Sequence, residues 1–225
     1  MKILMKKMFQ YQFYHLAAYL ILGVILITGT TFLPHDQKRL WGMTVMQWTI
    51  FSWIFAGPFQ AWVVILWRLE YHSAFLSSRF GKNGFTIFRA GFVILALLRL
   101  LPLVPISLLT QGSLNIPRWI AWIITALTTP FIIWGLYSVF AYFGINRAFG
   151  GDHFFEKYRE KTLVKKGTFK YIPNSMYTIV LLGLYHPGLM LMSTTGLLAA
   201  LIHHLFVWVH YFCTEKPDIK VIHSS

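Results

Sequence analysis

Long apolar blocks alternate with short polar segments along this chain of 225 residues. Three blocks, Phe13–Leu33, Val45–Trp67 and Trp119–Gly144, contain no Asp, Glu, Lys or Arg. A fourth, Phe85–Leu109, is similarly long but contains two arginines. Blocks of about 20 residues match the roughly 30 Å hydrocarbon core of a bilayer. The pattern therefore predicts four membrane-spanning helices.

A fifth apolar region, Met176–Cys213, is too long for one such helix and just long enough for two. The sequence STTG at Ser193–Gly196 predicts the turn between them, because glycine adopts backbone conformations that other residues resist. The predicted fold is an all-α polytopic membrane bundle of about six helices, the last two forming a hairpin. We expect a two-helix membrane segment over residues 1–84 and a four-helix core over residues 85–225.

Composition supports the membrane interpretation. Hydrophobic residues make up 56% of the chain and charged residues only 12%, about half the charged fraction of a typical soluble domain. The first apolar block is longer than a signal-peptide core and lacks a small-residue cleavage site, which favours a retained helix. The single cysteine, Cys213, excludes a disulfide framework within the chain.

The formal net charge of +13 is unevenly distributed. Only Lys38, Arg39 and Arg118 lie on one side of the predicted bundle. The other side carries Lys2, Lys6, Lys7, Arg68, Arg79, Lys82, Arg147, Lys157, Arg159, Lys161, Lys165, Lys166, Lys170, Lys216 and Lys220. The positive-inside rule predicts cytoplasmic termini, in a bacterial inner membrane or a membrane of the endoplasmic reticulum type. The charge indicates the lipid bilayer as partner; nucleic acid is not expected, and the oligomeric state stays open.

Candidate chemistry clusters on the basic side of the predicted bundle. Two acidic stretches lie there, GGDHFFEKYRE at Gly150–Glu160 and CTEKPD at Cys213–Asp218. The predicted hairpin returns Glu215 close to Asn174 and Tyr177. A carboxylate in such a place can bind an amino group, a ribose diol or a sulfonium. Nearby aromatic rings can stack on a base or a cation, although aromatic and basic residues also serve as ordinary membrane anchors.

Several short motifs resemble those of integral-membrane methyltransferases. The stretch GTFKYIPNSMY ending at Tyr177 is similar to their signature G-x-[YF]-[RK]-[YF]-[IV]-x-[NH]-P-M-Y. The closer resemblance is to phosphatidylethanolamine N-methyltransferases, which are related to isoprenylcysteine carboxyl methyltransferases. It rests on the order and spacing of FGGDHF at Phe149–Phe154, NSMY at Asn174–Tyr177, TGLL at Thr195–Leu198 and TEKP at Thr214–Pro217.

The chain departs from the family pattern at three places. Ser175 stands where the family has proline, and a family pair of glutamates is reduced to Glu215 followed by Lys216. TTPFI, at Thr128–Ile132, stands where eukaryotic members carry G-x-G. These departures concern the contacts to the methyl donor.

The resemblance implies S-adenosylmethionine as the cofactor and a membrane lipid as the substrate. A soluble dinucleotide-binding fold is not expected, because no strand–GxGxxG–helix unit is present. The residues implied at the donor site are Gly150, Gly151, Asp152, Tyr171, Asn174, Tyr177 and Glu215.

Methyl transfer to an amine needs no cysteine nucleophile and no metal. A phospholipid amine, similar to lysine in basicity, starts protonated and must lose a proton before it attacks. The candidate proton acceptors are Glu215, His210 and Tyr177, in that order. Arg147 and Lys170 are candidates to bind the lipid phosphate, although membrane topology explains these two charges equally well.

Arg99 is unusual because a charged residue within a span is costly and usually faces a cavity or a partner. It is a candidate for binding a lipid phosphate or a donor carboxylate, with a structural role as the alternative. Pro102 and Pro105 follow it and favour a break in the helix. The histidines of the last two predicted spans lack the spacing of a membrane di-iron oxidase, so no metal is predicted.

The predicted function is N-methylation of a phospholipid amine at the cytoplasmic membrane interface, a step of phospholipid biosynthesis. A carboxyl methyltransferase acting on a prenylated cysteine, or on another membrane substrate, is the first alternative. A transporter or non-enzymatic scaffold is less favoured, because Arg99 is the only Asp, Glu, Lys or Arg expected at mid-bilayer depth and transport pathways usually place several there. A nicotinamide-dependent membrane reductase is a further alternative.

Overall fold

The computed structural model describes residues 7–33, 38–160 and 164–222. Lys2, Lys6 and Lys161, which belong to the predicted basic side, lie outside these ranges. Within the described residues the regular structure is helical, which confirms the predicted fold class. Five stretches are long and apolar enough to cross a membrane: Gln12–Phe32, Val45–Ser73, Phe75–Leu109, Arg118–Phe143 and Thr194–Ile222.

The first half of the described chain contains four long and two short helices separated by turns. They are α1 (Gln12–Phe32), α2 (Val45–Ser73), α3 (Phe75–Phe80), α4 (Gly84–Leu100), α5 (Leu103–Leu109) and α6 (Arg118–Ser138). The helix breaks between α4 and α5 at Pro102, as the prolines predicted. A π-helical turn, Val139–Phe143, extends α6.

The second half consists mainly of short elements before one long helix. They are α7 (Ile145–Ala148), α8 (Gly151–Phe154), α9 (Glu156–Arg159), α10 (Ser175–Thr178), α11 (His186–Met190), α12 (Thr194–His210) and α13 (Lys216–Ile222). Two 3₁₀ segments, Gly167–Lys170 and Val180–Tyr185, precede α10 and α11 respectively. A π-helical turn, Tyr211–Glu215, joins α12 to α13.

The predicted fifth span is a series of short helical pieces instead of one helix. With rises of about 1.5 Å per α-helical and 2.0 Å per 3₁₀ residue, residues 175–190 still extend roughly 25 Å. The chain then reverses at Met192, which has a left-handed φ of 56°. Ser193 caps α12 by accepting a 2.8 Å bond from the Gly196 amide. The turn thus lies earlier than predicted, and Gly196 lies within α12, packed against the Ser107 side chain.

The beginning and the end of the described chain lie at the same end of the bundle. Arg68, near the end of α2, donates to the Met8 carbonyl at 2.8 Å. Gln12 donates to the Cys213 carbonyl at 3.3 Å. At the opposite end, the Gly112 amide donates to the Leu191 carbonyl at 3.0 Å. We call the end that contains Met8, Arg68 and Cys213 the terminal end; it holds the candidate site.

Two apolar clusters hold the bundle together. One unites α1, α2, α5 and α12 through Leu26, Trp53, Ile106 and Phe206. The other lies at the terminal end, where Trp67 of α2 packs with rings of α4, α8 and the preceding loop. The long helix α2 also packs along α4. A boundary at residue 84 therefore stays a prediction, with extensive packing across it.

Candidate active site

The hairpin brings Tyr177 and Glu215 into direct contact at the terminal end. Tyr177 lies in α10, which begins directly after Asn174, a residue with a left-handed φ of 57°. Glu215 is the last residue of the π-helical turn that follows α12. The Tyr177 hydroxyl donates a hydrogen bond to the Glu215 carboxylate. The structure thus brings together the phenol and the carboxylate that the motifs suggested.

A cavity of about 240 Å³ surrounds this pair, and we call it the polar cavity. Six of the predicted site residues line it: Arg147, Gly150, Asp152, Asn174, Tyr177 and Glu215. Phe143 and Phe169 add a stacked pair of rings, with centroids 5.3 Å apart and planes inclined by 22°. The cavity therefore combines a carboxylate, an amide and aromatic faces.

Arg147 and Asp152 form a buried two-point ion pair beside this cavity. The Arg147 Nε and Nη2 atoms lie 3.0 and 3.1 Å from the Asp152 carboxylate oxygens. Only 6% of Arg147 is exposed. Fork-like pairs of this kind combine charge with fixed geometry. Two donors that we assigned to the lipid phosphate are thus already used within the protein.

Only glycine fits at position 150, where the polar cavity meets α2. Its φ of 77° lies in the left-handed region, and an added side chain would overlap the Trp67 indole. Trp67 donates a 3.2 Å bond from Nε1 to the Phe149 carbonyl and stacks on His153 with centroids 4.5 Å apart. Trp67 therefore forms part of the cavity wall, a role that the sequence did not indicate.

Five predicted site residues do not line this cavity: Arg99 and His210 lie at a second cavity described below, and the other three lie elsewhere. Gly151 lies in α8, packed against the Asn146 carbonyl and the Tyr158 ring. Tyr171 is 66% exposed and packs near Trp134, and Lys170 is exposed beside it. Tyr171 points away from the cavity because it directly follows the 3₁₀ turn Gly167–Lys170. With three residues per turn, residues two apart, such as 169 and 171, lie on different faces. Phe169 faces the cavity instead.

A second, mostly apolar cavity of about 310 Å³ adjoins the first. We call it the apolar cavity. It is enclosed by side chains of α2, α4, α6 and the segment 180–184. Trp67, Ala148, Met176 and Tyr177 line both cavities. The two spaces therefore meet at the Tyr177 side chain.

Arg99 lies in the wall of the apolar cavity and is 1% exposed. Its Nε and Nη2 atoms donate to the Nδ1 atom and the carbonyl oxygen of His203, at 3.0 and 2.9 Å. Ser52 donates to the Arg99 carbonyl at 2.6 Å and lies 2.7 Å from His203 Nε2. The arginine side chain is thus held by His203 of α12. A polar network thus fixes its guanidinium at the cavity.

His210 does not join the cluster around Glu215. It lines the apolar cavity, and its ring lies 5.7 Å from the rings of His15 and Trp67. His204, by contrast, contacts the Tyr177 carbonyl at 2.7 Å through Nε2 and the Tyr185 hydroxyl at 3.1 Å through Nδ1. His204 therefore positions the backbone of Tyr177.

A charged cluster lies at the terminal end beside the polar cavity. Arg68 binds both Asp218 carboxylate oxygens through Nε, at 3.1 and 3.2 Å. The His153 Nε2 atom lies 3.5 Å from the same carboxylate. Asp218 lies in α13, whose Ile219 and Ile222 line the polar cavity. We call the contact of Arg68 with Asp218 the latch, because it fixes α13 beside the site.

No group of three potential metal ligands occurs within the described residues. The fold and the two cavities define a polytopic helical membrane protein with adjoining polar and apolar sites. Residues 120–224 match the model of the PEMT family, described as phospholipid methyltransferase. This match confirms the resemblance to that methyltransferase family over the C-terminal part of the chain. Comparison with curated proteins gave no match, and neither did comparison with solved structures.

Proposed function

We propose that this protein is an S-adenosylmethionine-dependent N-methyltransferase that acts on the amine headgroup of a phospholipid, phosphatidylethanolamine or a methylated derivative. The observation that carries the proposal is the contact of a polar and an apolar cavity at Tyr177. A water-soluble donor and a lipid acceptor need two adjoining sites, of which one offers more polar groups than the other. Holding both reactants in reach of each other is the main contribution that such an enzyme makes.

The polar cavity contains groups that fit the methyl donor. When bound, S-adenosylmethionine supplies a methyl group activated by its sulfonium sulfur. Glu215 can accept hydrogen bonds from amino or hydroxyl groups, and Asn174 offers both a donor and an acceptor. Phe143 and Phe169 present aromatic faces to the cavity.

The apolar cavity fits the lipid. Phe140 and Leu136 of its wall are 63% and 41% exposed on the lipid-facing side of the α6 segment. We propose that an acyl chain enters from the bilayer between these two side chains. Arg99 supplies a positive charge in this wall for the lipid phosphate. It is better placed for that role than Arg147, which is paired with Asp152.

Tyr177 and Glu215 form a route for the proton that the amine must lose. The ammonium group of the lipid can donate to the Tyr177 oxygen, which itself donates to Glu215. Transfer of one proton to Tyr177, with transfer of the hydroxyl proton to Glu215, leaves a neutral amine beside an unchanged phenol. The nitrogen lone pair is then free to attack the methyl carbon.

The proposal is tested with purified protein, labelled S-adenosylmethionine and a panel of lipids that is separated afterwards. We expect label in phosphatidylethanolamine derivatives. Label in a prenylcysteine ester alone would instead support the carboxyl methyltransferase. That second candidate is favoured by Arg99, because a guanidinium in an apolar wall also suits a carboxylate. Absence of label from all lipids would refute both.

We also propose that the terminal end faces the cytoplasm, since the basic residues of the chain lie mostly at this end. Single cysteines in place of Lys38 and Lys165, introduced in a Cys213→Ser background, should react with an impermeant reagent from opposite sides of the membrane. We expect Lys165→Cys to react from the cytoplasmic side. Reaction of both from one side would contradict this orientation.

A further inference from the structure

We propose that Gln60 and His210 accept hydrogen bonds from the acceptor amine and so discriminate between amines by their number of N–H groups. The enzyme would then prefer a primary amine and slow with each methyl group added. This inference rests on the proposed function and names the form of the substrate. Gln60 lies in α2, outside the residues that match the family model.

Each of the two side chains contains a buried polar atom without a hydrogen-bond partner. Gln60 is 4% exposed and His210 is 5% exposed. Gln60 Oε1 and His210 Nδ1 have no hydrogen-bond partner in the described structure. An unsatisfied buried polar group is costly, and native structures rarely keep one without a reason. Since both residues line the apolar cavity, a ligand in that cavity can supply the missing donors.

The two side chains lie at similar depth in the bundle. Ser52 of α2 contacts His203 of α12 at 2.7 Å, which sets the register of two helices that run in the same direction. Gln60 follows Ser52 by eight residues and His210 follows His203 by seven. At about 1.5 Å per residue, both lie roughly 10–12 Å nearer the terminal end. Both are therefore available to one headgroup next to Tyr177.

The chemistry of these two groups favours donors over methyl groups. A carboxamide oxygen and an unprotonated imidazole nitrogen both accept hydrogen bonds. A primary ammonium has three N–H groups: one proton leaves through Tyr177, and two remain for Gln60 and His210. After one methylation a single N–H remains for them, and after two none remains. Each added methyl group thus leaves one more buried acceptor unpaired.

The transfer itself is the same in every round. A bond forms between the substrate nitrogen and the methyl carbon while the carbon–sulfur bond breaks, and its electron pair stays on sulfur. One proton moves from nitrogen to the Tyr177–Glu215 pair. Only the pairing of Gln60 and His210 changes between rounds, so these residues determine how far methylation proceeds.

The experiment measures initial rates with saturating S-adenosylmethionine on vesicles that contain phosphatidylethanolamine, its monomethyl or its dimethyl derivative. For the unaltered protein we expect kcat/KM to fall about tenfold for each methyl group added, the scale of one unpaired buried group. Gln60→Met keeps the side-chain length but removes the carboxamide. It should lower the rate on phosphatidylethanolamine about tenfold and leave the rate on the dimethyl lipid unchanged.

Val63→Ala is the matched control, because Val63 lines the same cavity and has no polar group. It should change all three rates by one common factor. Gln60→Glu keeps an acceptor oxygen and should retain the preference for the primary amine. Unchanged affinity for S-adenosylhomocysteine shows that each variant is folded.

Equal rates on the three lipids would overturn the inference and leave the proposed function standing. So would a common loss on all three lipids in Gln60→Met. Label on none of them would overturn the proposed function, and this inference with it.

Discussion

The two cavities differ in where along the chain their walls originate. Apart from Trp67, the polar cavity is lined by residues 143–222, which lie within the family match. The apolar cavity takes many of its lining residues from α2 and α4, among them Gln60, Phe92 and Arg99. These helices precede residue 120, where the match begins. The residues that match the family model thus form nearly all of the polar cavity, and much of the neighbouring wall is supplied by the rest of the chain.

Under the proposed function, this difference corresponds to a division of tasks between donor binding and acceptor binding. A donor site can be built from a loop, a short helix and the end of the next helix, because one hairpin brings them together. An acceptor site deep in a bundle needs several long helices. If the division holds, changes in α2 or α4 should alter acceptor choice without altering donor affinity. The Arg68–Asp218 latch and Trp67 are exceptions, since they connect α2 to the segment 143–222 that lines the polar cavity.

The largest expected effect comes from breaking the latch. Arg68→Met leaves the largely buried Asp218 carboxylate without its arginine partner and with only His153 at 3.5 Å, which should cost about 3 kcal/mol of stability. Thermal unfolding in detergent measures the loss. Since the latch connects α2 to α13, donor affinity should fall as well. Arg79→Met, at an exposed position, removes the same charge and should have little effect.

The double variant Arg68→Met, Asp218→Asn sharpens the result. It removes both charges, so a substantial part of the lost stability should return. If the double variant is no more stable than Arg68→Met, the pair is not the connection between the two regions.

Glu215→Gln should have the next largest effect, confined to the polar cavity. The change keeps the shape of the side chain and removes its charge. Affinity for S-adenosylhomocysteine should fall by about 1.5–3 kcal/mol, the scale of a hydrogen bond to a charged group. Calorimetry measures the affinity, with Glu160→Gln at an exposed position as the control. Unaltered affinity in a folded variant would remove Glu215 from the donor site.

Gly150→Ala should have a smaller effect that reaches both cavities. The added methyl group is strained by about 1–2 kcal/mol at a left-handed φ, and it displaces Trp67, which lines both spaces. Donor affinity and the rate on the lipid should therefore both fall. Gly183→Ala is the control, because its added atom meets only Ile132, at 3.9 Å. A selective loss of donor affinity would show that Trp67 does not couple the cavities.

The smallest expected effect is the change of rate over a single pH unit. An amine with a pKa of about 10 is mostly protonated at neutral pH, and its neutral fraction rises up to tenfold per pH unit below that pKa. The rate on phosphatidylethanolamine should therefore rise through the mildly alkaline range. A prenylcysteine carboxylate is already ionised there and should give a flat profile. Initial rates measured with both substrates in parallel, at saturating donor, decide between the two acceptor classes.

Hydropathy was sufficient to predict the long helices, because length and lack of charge are properties of the local sequence. It did not predict that residues 175–190 form short helical pieces. Those pieces depend on Gly183, Pro187 and packing against α12, and the apolar composition is the same for either structure. The meeting of Tyr177 and Glu215 was predictable because a single hairpin brings them together.

The remaining parts of the site depend on contacts between distant segments. Trp67 and Arg68 were assigned to a span and to a basic loop, and nothing in the local sequence indicates Phe149 or Asp218 as their partners. Gln60, by contrast, could have been identified from the sequence as a candidate functional residue. It is a polar side chain in the apolar stretch FAGPFQAWVVILW, and polar residues inside spans frequently mark function.

The latch has a consequence for how the protein is made. A ribosome synthesises Arg68 early and Asp218 roughly 150 residues later, at about 5–20 residues per second. During those seconds α2 is already in the membrane while the residue that fixes α13 beside the polar cavity does not yet exist. The nascent chain should therefore be inactive until Asp218 leaves the exit tunnel. Methylation would then begin only after Asp218 has been made and α13 has packed beside the polar cavity.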